Sequence, residues 1–322
     1  MENSQENNYL DLRKYKVLIK LGSGSFGKVY KVKNIETTEI YAAKISKQSI
    51  RKLNNTPDKT LFLFREIKIM FSLNHPAIIQ FIGYSPTDFE FSSKPTIITE
   101  YAKNGTLGDL INSEKNGTTF PKWDQTQKLI CIYGIASGMS YLHHNNVIHR
   151  DLKSENILID QYLHPKISDF GLSKVFNGTT QSMRIQSQKG MKGTPMYMSP
   201  EILSEEKYSK SADVYAFGFI MYELLTCEEP FSNISYMKLI KKVVNEGYRP
   251  PIKDYIGESY KEMIEKCWSQ DAEERPSFED IVEELKTNKG FLTEMIDECE
   301  FYDYVDFIDN YQSTFDVSKR AV

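Results

Sequence analysis

Two regimes of residue patterning limit what this chain can fold into. From Tyr15 to about Tyr101, short β-branched or aromatic runs stand between turn formers: Tyr15 to Ile19, Val29 to Val32, Ile40 to Ile45, Ile78 to Ile82 and Thr96 to Thr99. One stretch, Leu61 to Leu73, interrupts them, spacing Phe62, Ile67, Met70 and Phe71 among charges as an amphipathic helix does. After Leu107 the period becomes helical. Leu129, Ile132, Ile135, Ala136, Met139 and Leu142 line one predicted helix, and Ser211 to Leu225, Tyr236 to Asn245, Tyr260 to Trp268 and Phe278 to Lys286 predict four more. A β-rich part followed by an α-rich part predicts an α+β chain of two lobes, divided near Glu100 to Gly105. The 322 residues suffice for one large core or two modest ones.

The chemistry concentrates between His149 and Gly171. His149-Arg150-Asp151-Leu152-Lys153-Ser154-Glu155-Asn156 is followed by Asp169-Phe170-Gly171. Between them, Ile157 to Ile159 and Pro165 to Ile167 read as two strands around a polar turn, Asp160 to His164. Such a hairpin brings Asp151, Asn156 and Asp169 to one face. A carboxylate that can meet a hydroxyl, with two oxygen ligands for Mg²⁺, is the inventory of phosphoryl transfer from ATP. Upstream, Gly22-Ser23-Gly24-Ser25-Phe26-Gly27-Lys28-Val29 fits G-x-G-x-x-G-x-V, in which backbone N–H groups can approach phosphate oxygens. By itself the pattern also describes a glycine-containing hairpin. A dinucleotide fingerprint must open a helix, whereas these glycines precede the strand-like Val29-Tyr30-Lys31-Val32-Lys33.

Taken together, these motifs resemble the eukaryotic protein kinases, and the resemblance runs from about Tyr15 to Lys286. It implies a bilobal fold: a β-rich N-lobe over about 15–101 and an α-helical C-lobe over about 106–288. A polar extension, 1–14, precedes it and an acidic tail, 289–322, follows. It also implies ATP and Mg²⁺ as cofactors. Leu21, Val29, Ala42 and Leu158 match the positions that sandwich adenine, Thr99 the gatekeeper, and Glu100 and Ala102 the hinge. Gly22, Ser23, Gly24, Ser25, Phe26 and Gly27 match the loop over the phosphates. Lys44 matches the lysine that grips the α- and β-phosphates, and Glu66 the glutamate that holds it. Tyr41-Ala42-Ala43-Lys44 departs from the family's V-A-I-K at its first and third positions. Asp109 matches a ribose contact or, equally, a solvated helix start. Asp151 matches the catalytic aspartate and Lys153 the lysine that steadies the γ-phosphate, while Asn156 and Asp169 match the metal ligands. His149 and Phe170 are expected to pack inside. Ser199-Pro200-Glu201 stands where the family has A-P-E, with Arg275 as ion-pair partner, and Asp213 matches the aspartate that anchors the HRD backbone.

Lys153 and Gly193-Thr194-Pro195 resemble serine/threonine kinases. Thr99-Glu100-Tyr101, Asp213 to Gly218, and Cys267-Trp268 lean towards the tyrosine-kinase-like group. A serine/threonine enzyme of that group satisfies both, with dual specificity as the alternative. A pseudokinase scaffold predicts damage at Lys44, Asp151, Asn156, Asp169 or the glycines, all of which are present. The implied partners are protein substrates with Ser/Thr acceptors and an upstream or trans-acting kinase. The latter follows from Arg150, which can pair with a phosphate on the segment after Gly171. That segment offers Ser173, Thr179, Thr180, Ser182 and Ser187, with Thr180, Ser182 or Ser187 expected to carry the phosphate.

The formal charge of −4 gives no reason to expect nucleic-acid binding. Eight acids and two bases lie from Gly290 to Val322, a balance of −6, so the acidity belongs to the tail. Four scattered cysteines fit a reducing compartment better than a disulfide framework. The polar start resembles no signal peptide, no lipid-anchor motif stands out, and the apolar run Val214 to Leu225 falls short of the roughly 20 residues that span a bilayer. A cytoplasmic protein without membrane insertion is expected. Over residues 291–315 the apolar positions Phe291, Met295, Cys299, Tyr302, Val305, Ile308 and Phe315 fit one or two amphipathic helices. These would form a cap on the helical lobe, or a docking or inhibitory element.

Overall fold

The computed structural model describes residues 9–24, 27–47, 66–119, 122–175, 183–184, 194–232 and 234–319. The chain divides into two compact units, one formed by residues 1–74 and 79–103, the other by 75–78 and 104–322.

The first unit is built on a five-stranded antiparallel sheet in the order β1-β2-β3-β5-β4. Its strands are β1 (Tyr15–Ser23), β2 (Gly27–Asn34), β3 (Ile40–Ser46), β4 (Phe81–Ser85) and β5 (Thr96–Glu100). Register decides which side chains share a face, because cross-strand partners point the same way and neighbours along a strand alternate. Val32 pairs with Tyr41, Tyr30 with Ala43, and Ala43 with Ile98, so these residues lie on one face. There they pack with Leu12 and Phe89 into a small core. Val29 pairs with Lys44, Lys44 with Ile97, and Ala42 with Thr99, which places these residues on the opposite face. Gly27 is required at the start of β2, since a Cβ there would stand 2.3 Å from the Ile45 carbonyl oxygen.

Two expectations for this region change. Ile78 is not part of a strand: its N–H donates to the His75 carbonyl in a turn, it forms only an isolated bridge with Ile167, and β4 begins at Phe81. Residues 66–72 are helical, with Ile67, Ile69 and Met70 buried, but Phe71 faces solvent.

The second unit is mostly helical: α1 (Leu107–Lys115), α2 (Gln125–His144), α3 (Ser211–Thr226), α4 (Glu258–Cys267), α5 (Phe278–Thr287) and α6 (Glu298–Lys319). α2 starts where Asp124 Oδ1 accepts from Gln127 N, and α5 starts on a capping box between Ser277 and Asp280. α2 is apolar all round, as a helix enclosed by its neighbours must be, and its residues from Thr126 to Met139 are buried. The predicted helix at 236–245 is α-helical only over Tyr236–Ile240 and widens to a π-turn over Lys241–Asn245. Short strands β6 (Val147–Ile148) and β9 (Lys174–Val175) pair with each other, and β7 (Ile157–Ile159) pairs with β8 (Pro165–Ile167) as the hairpin expected from the sequence.

The tail helix α6 packs on α2. Phe301, Tyr304, Val305 and Ile308 are buried, and Tyr133 of α2 meets Phe301 and Tyr304 edge-on, with centroids 5.8 and 6.3 Å apart. Val305 and Ile308 follow the expected stripe, whereas Met295 and Cys299 are exposed and Tyr302 is half-buried. The inward stripe is set by the aromatic residues that fit against α2, and Phe315 lies outside the described side chains. Among the described residues no helix is long and apolar enough to cross a membrane.

Candidate active site

In the first unit, Lys44 Nζ lies 2.7 Å from Glu66 Oε1. β3 fixes the lysine on the sheet face shared with Val29, Ala42, Ile97 and Thr99, and the 66–72 helix presents the glutamate, itself buried. An ammonium among apolar strand residues needs a carboxylate nearby, since an unpaired charge there would be poorly solvated. Leu21 is exposed beside an irregularity in the β1–β2 register. The Gly24 N–H donates to the Gly27 carbonyl at 2.9 Å. Among the described residues, nothing beyond the chain neighbours lies within 4 Å of where a Cβ would stand on Gly22 or Gly24. Ser23 is exposed, and Ser25 and Phe26 lie outside the described residues. At the end of β5, Glu100 is held on both sides: its N–H donates to the Gln80 carbonyl and its Oε1 accepts from Gln80 N. Thr99 and Ala102 are half-buried.

In the second unit, buried Asp213 of α3 organises the HRD segment. Its Oδ2 accepts from His149 N and its Oδ1 from Arg150 N, both at 2.9 Å, while His143 Nε2 bonds Oδ2 at 2.9 Å. Burial opposes charge on Asp213, yet the hydrogen bond and charge of His143 and the remaining contacts hold its carboxyl below the usual range. Arg150 has φ +71°, a left-handed conformation that these two bonds help to hold. His149 is fully enclosed. Its Nε2 bonds the Ser168 carbonyl, which requires a donor, so Nδ1 is left to accept from Asp151 N, and its ring meets Phe170 edge-on at 5.4 Å. Both are struts, as the resemblance implies.

These struts place the candidate site residues. Asn156 Nδ2 donates to the Asp151 carbonyl at 2.7 Å and to Asp151 Oδ2 at 3.1 Å. Its amide orientation is thereby fixed, leaving Oδ1 as the oxygen available to a ligand. Lys153 Nζ lies 3.9 Å from Asp151 Oδ2 and donates to Thr194 Oγ1 at 2.7 Å. Asp169, with φ +61°, follows Ser168, whose N–H and Oγ both donate to the Asn156 carbonyl. The hairpin therefore ties the segment before Asp169 back to Asn156. Leu158 is half-buried and bridges to Thr106. Asp109 stands at the N3 position of the α1 capping box, Oδ2 accepting from Thr106 N and Oγ1. A helix-start role therefore engages one of its oxygens.

Further down the chain, Arg275 forms a two-pronged pair with Glu201 at 2.8 and 3.0 Å, its side chain wholly buried. Ser173 is buried and donates to the His149 carbonyl, so it is not presented for modification. Thr179, Thr180, Ser182 and Ser187 lie outside the described residues.

One group escaped the sequence reading. Tyr197 OH donates to Glu223 Oε2 at 2.6 Å and lies 3.1 Å from Ser154 Oγ, joining the HRD segment, the segment after Thr194 and α3. Burial pushes the Glu223 carboxyl up to about 7. A lone acid inside the apolar run Val214 to Leu225 was the available signal, because such a residue needs a polar partner or a proton.

A β-sheet unit with a lysine–glutamate pair and a helical unit with an HRD–DFG hairpin define a phosphotransferase fold. The chain belongs to the protein kinase domain family, whose model matches residues 15–285. It is 34% identical over 284 residues to a probable serine/threonine-protein kinase of Dictyostelium discoideum, covering 86% of this chain and 20% of that protein. A second probable serine/threonine-protein kinase of that organism is 36% identical over 288 residues, covering 87% of this chain and 29% of the relative. The dual specificity protein kinase shkB, also from D. discoideum, is 33% identical over 269 residues, 81% of this chain and 38% of its own length. The chain thus spans less than two fifths of the length of these relatives.

Proposed function

We propose that this chain is a protein serine/threonine kinase that transfers the γ-phosphoryl group of ATP to Ser/Thr hydroxyls of proteins. The observation that carries this reading is the bond from Lys153 Nζ to Thr194 Oγ1, set beside Asp151 and Asn156 in one loop. In the proposed step Asp151 orients the acceptor hydroxyl and takes its proton as the oxygen attacks the γ-phosphorus, and the bond from that phosphorus to the ADP oxygen breaks. Lys153 steadies the transferred group. Lys44, held by Glu66, positions the α- and β-phosphates. Gly22 to Gly27 lie over the phosphates, Leu21, Val29, Ala42 and Leu158 flank adenine, and Thr99, Glu100 and Ala102 line its edge. The oriented Asn156 Oδ1 and the Asp169 carboxylate are hard oxygen donors suited to Mg²⁺. When bound, that ion neutralises charge on the phosphates.

The tyrosine-kinase-like assignment rests on Thr99-Glu100-Tyr101, Asp213 to Gly218, and Cys267-Trp268. Activation by an upstream or trans-acting kinase rests on Arg150 beside Asp151, with Thr180, Ser182 or Ser187 as acceptor. Four free cysteines support a reducing, cytoplasmic setting. Dual specificity is a second reading, favoured by the names of two relatives.

The test is phosphoamino-acid analysis after incubating purified protein with labelled ATP, Mg²⁺ and a general protein substrate. Label on serine or threonine is expected, and label on tyrosine as well supports dual specificity. Asp151→Asn should lower kcat by about 10²- to 10⁴-fold while retaining nucleotide binding. Full activity in that variant would remove Asp151 from the mechanism.

A further inference from the structure

Tyr304 stands outside the region matched by the family model, yet it is enclosed where the tail helix meets the catalytic hairpin. Its ring lies 4.5 Å from that of His164, the last residue of the β7–β8 turn, and Phe307 stacks on the same imidazole at 6.3 Å. Near the hydroxyl end of the ring, Gly134 of α2 leaves the room that Tyr304 uses. A Cβ there would stand 2.5 Å from the Tyr304 hydroxyl and 2.6 Å from Pro165 Cγ. Tyr304 is therefore wedged between α2 and the residues that open β8.

The rest of α6 is fastened to fixed points. Asp297 N donates to Thr126 Oγ1 at 2.9 Å, Gln127 Nε2 to Glu300 Oε1 at 2.7 Å, and Lys286 Nζ to Asp309 at 2.7 Å. The turn is stiff in itself, since Asp160 Oδ1 accepts from both Tyr162 N and His164 N. Each strand of the hairpin has three residues, a lever of about 10 Å at the usual rise. Asn156 precedes one strand and Asp169 follows the other. A force applied at the turn is thus carried by two short, paired strands to the two proposed metal ligands.

We infer that Tyr304 is a positioning residue: by bracing His164 and Pro165 it holds the β7–β8 hairpin so that Asn156 and Asp169 present their oxygens to Mg²⁺·ATP. This inference rests on the proposed kinase reading for the identity of the ligand. It assigns the tail a part in the reaction that neither a passive cap nor an inhibitory element has.

The experiment compares the Mg²⁺ concentration for half-maximal phosphoryl transfer, at saturating ATP, in the wild type and in Tyr304→Ala, His164→Ala, their double variant and Phe301→Ala. Phe301 is equally buried in α6 but packs on Tyr133 instead of the hairpin. All are assayed below their melting onset. Tyr304→Ala and His164→Ala should each raise the half-saturating Mg²⁺ about tenfold, the scale found when a group orienting a metal ligand is lost. The double variant should add little beyond either single change, and Phe301→Ala should leave the value at that of the wild type. An unchanged Mg²⁺ requirement in both hairpin-facing variants, or an equal rise in Phe301→Ala, overturns the positioning role. If Tyr304→Ala does not fold, His164→Ala decides alone, because its side chain lies on the turn. If the wild type transfers no phosphate, the kinase reading fails separately. Mg²⁺-dependent ATP binding by calorimetry on the same variants then tests the inference with the same expected ranking.

Discussion

Replacing Glu223 with glutamine should make the protein's stability less dependent on pH, by an amount the structure sets. The Glu223 carboxyl is raised from 4.5 to about 7, chiefly by burial, with Glu155 and Glu229 adding to the rise and the Tyr197 and Ser154 hydroxyls opposing it. A rise of ~2.5 pK units corresponds to about 3 kcal/mol at 1.36 kcal/mol per unit. The sign follows from proton linkage. The folded state holds this proton more tightly than the unfolded chain, so the stabilisation is fully present below pH ~4.5 and is lost as pH rises through about 7. The introduced amide keeps an oxygen to accept from Tyr197 OH but carries no charge. The Glu223→Gln variant should therefore gain on the wild type by up to about 3 kcal/mol as pH is raised from ~5 to ~8. Urea denaturation of both proteins across that range reads the difference directly, and titrating groups that do not interact with Glu223 cancel in the comparison. A stability difference that stays constant with pH would refute the reasoning, because Glu223 would then titrate alike in the folded and unfolded chains.

Arg275→Ala leaves the Glu201 carboxylate, only 10% exposed, without its two-pronged partner. Chemical denaturation should show a loss of ~3–5 kcal/mol. Gly27→Ala forces a Cβ to within 2.3 Å of the Ile45 carbonyl, and the backbone there can yield only by opening the β2–β3 ladder. A cost of about 1–3 kcal/mol is expected from the melting curve, and an unchanged melting temperature would contradict the close approach. Lys44→Met removes the ammonium 2.7 Å from Glu66. Phosphoryl transfer should fall ~10²- to 10³-fold, the scale of losing one preorganised charge, and the melting temperature should fall as well, because the Glu66 carboxylate, 9% exposed, loses its ammonium.

Much of the site was legible because its parts are close in sequence. HRDLKSEN and DFG bracket a hairpin whose strands and turn each carry a local signal, and the observed register pairs Ile157 with Ile167 as that reading requires. The glycine loop was separated from a dinucleotide fingerprint by the strand that follows it, and β2 does begin at Gly27. Where the reading slipped, the local signal was shared between alternatives. Ile78 and Ile79 are as apolar as a strand, but the His75 carbonyl accepts the Ile78 N–H and a turn forms instead. In the tail, acids and aromatics alternate closely enough to draw more than one stripe through the same residues. Met295 and Cys299 of the expected stripe face solvent, whereas Phe301 and Tyr304, which it left out, are buried along with its Phe291, Val305 and Ile308.

The sequence by itself determined the class of chain, the β-to-α order and the hairpin between the HRD and DFG motifs, since these rest on residue type and on spacings within a strand, a turn or a helix. The resemblance already matched Glu66 to Lys44 across 22 positions, but only the tertiary structure decided which distant residues without such a match meet. Glu223 reaches Tyr197 across 26 positions. Gly134 and Tyr304 occupy neighbouring space although 170 residues separate their numbers. Such meetings depend on the packing of whole elements, because a side chain's partner is whatever a second helix or strand brings within about 4 Å of it. No local pattern encodes that distance, and the enclosure of Tyr304 at the end of the β7–β8 hairpin became visible only in the folded chain.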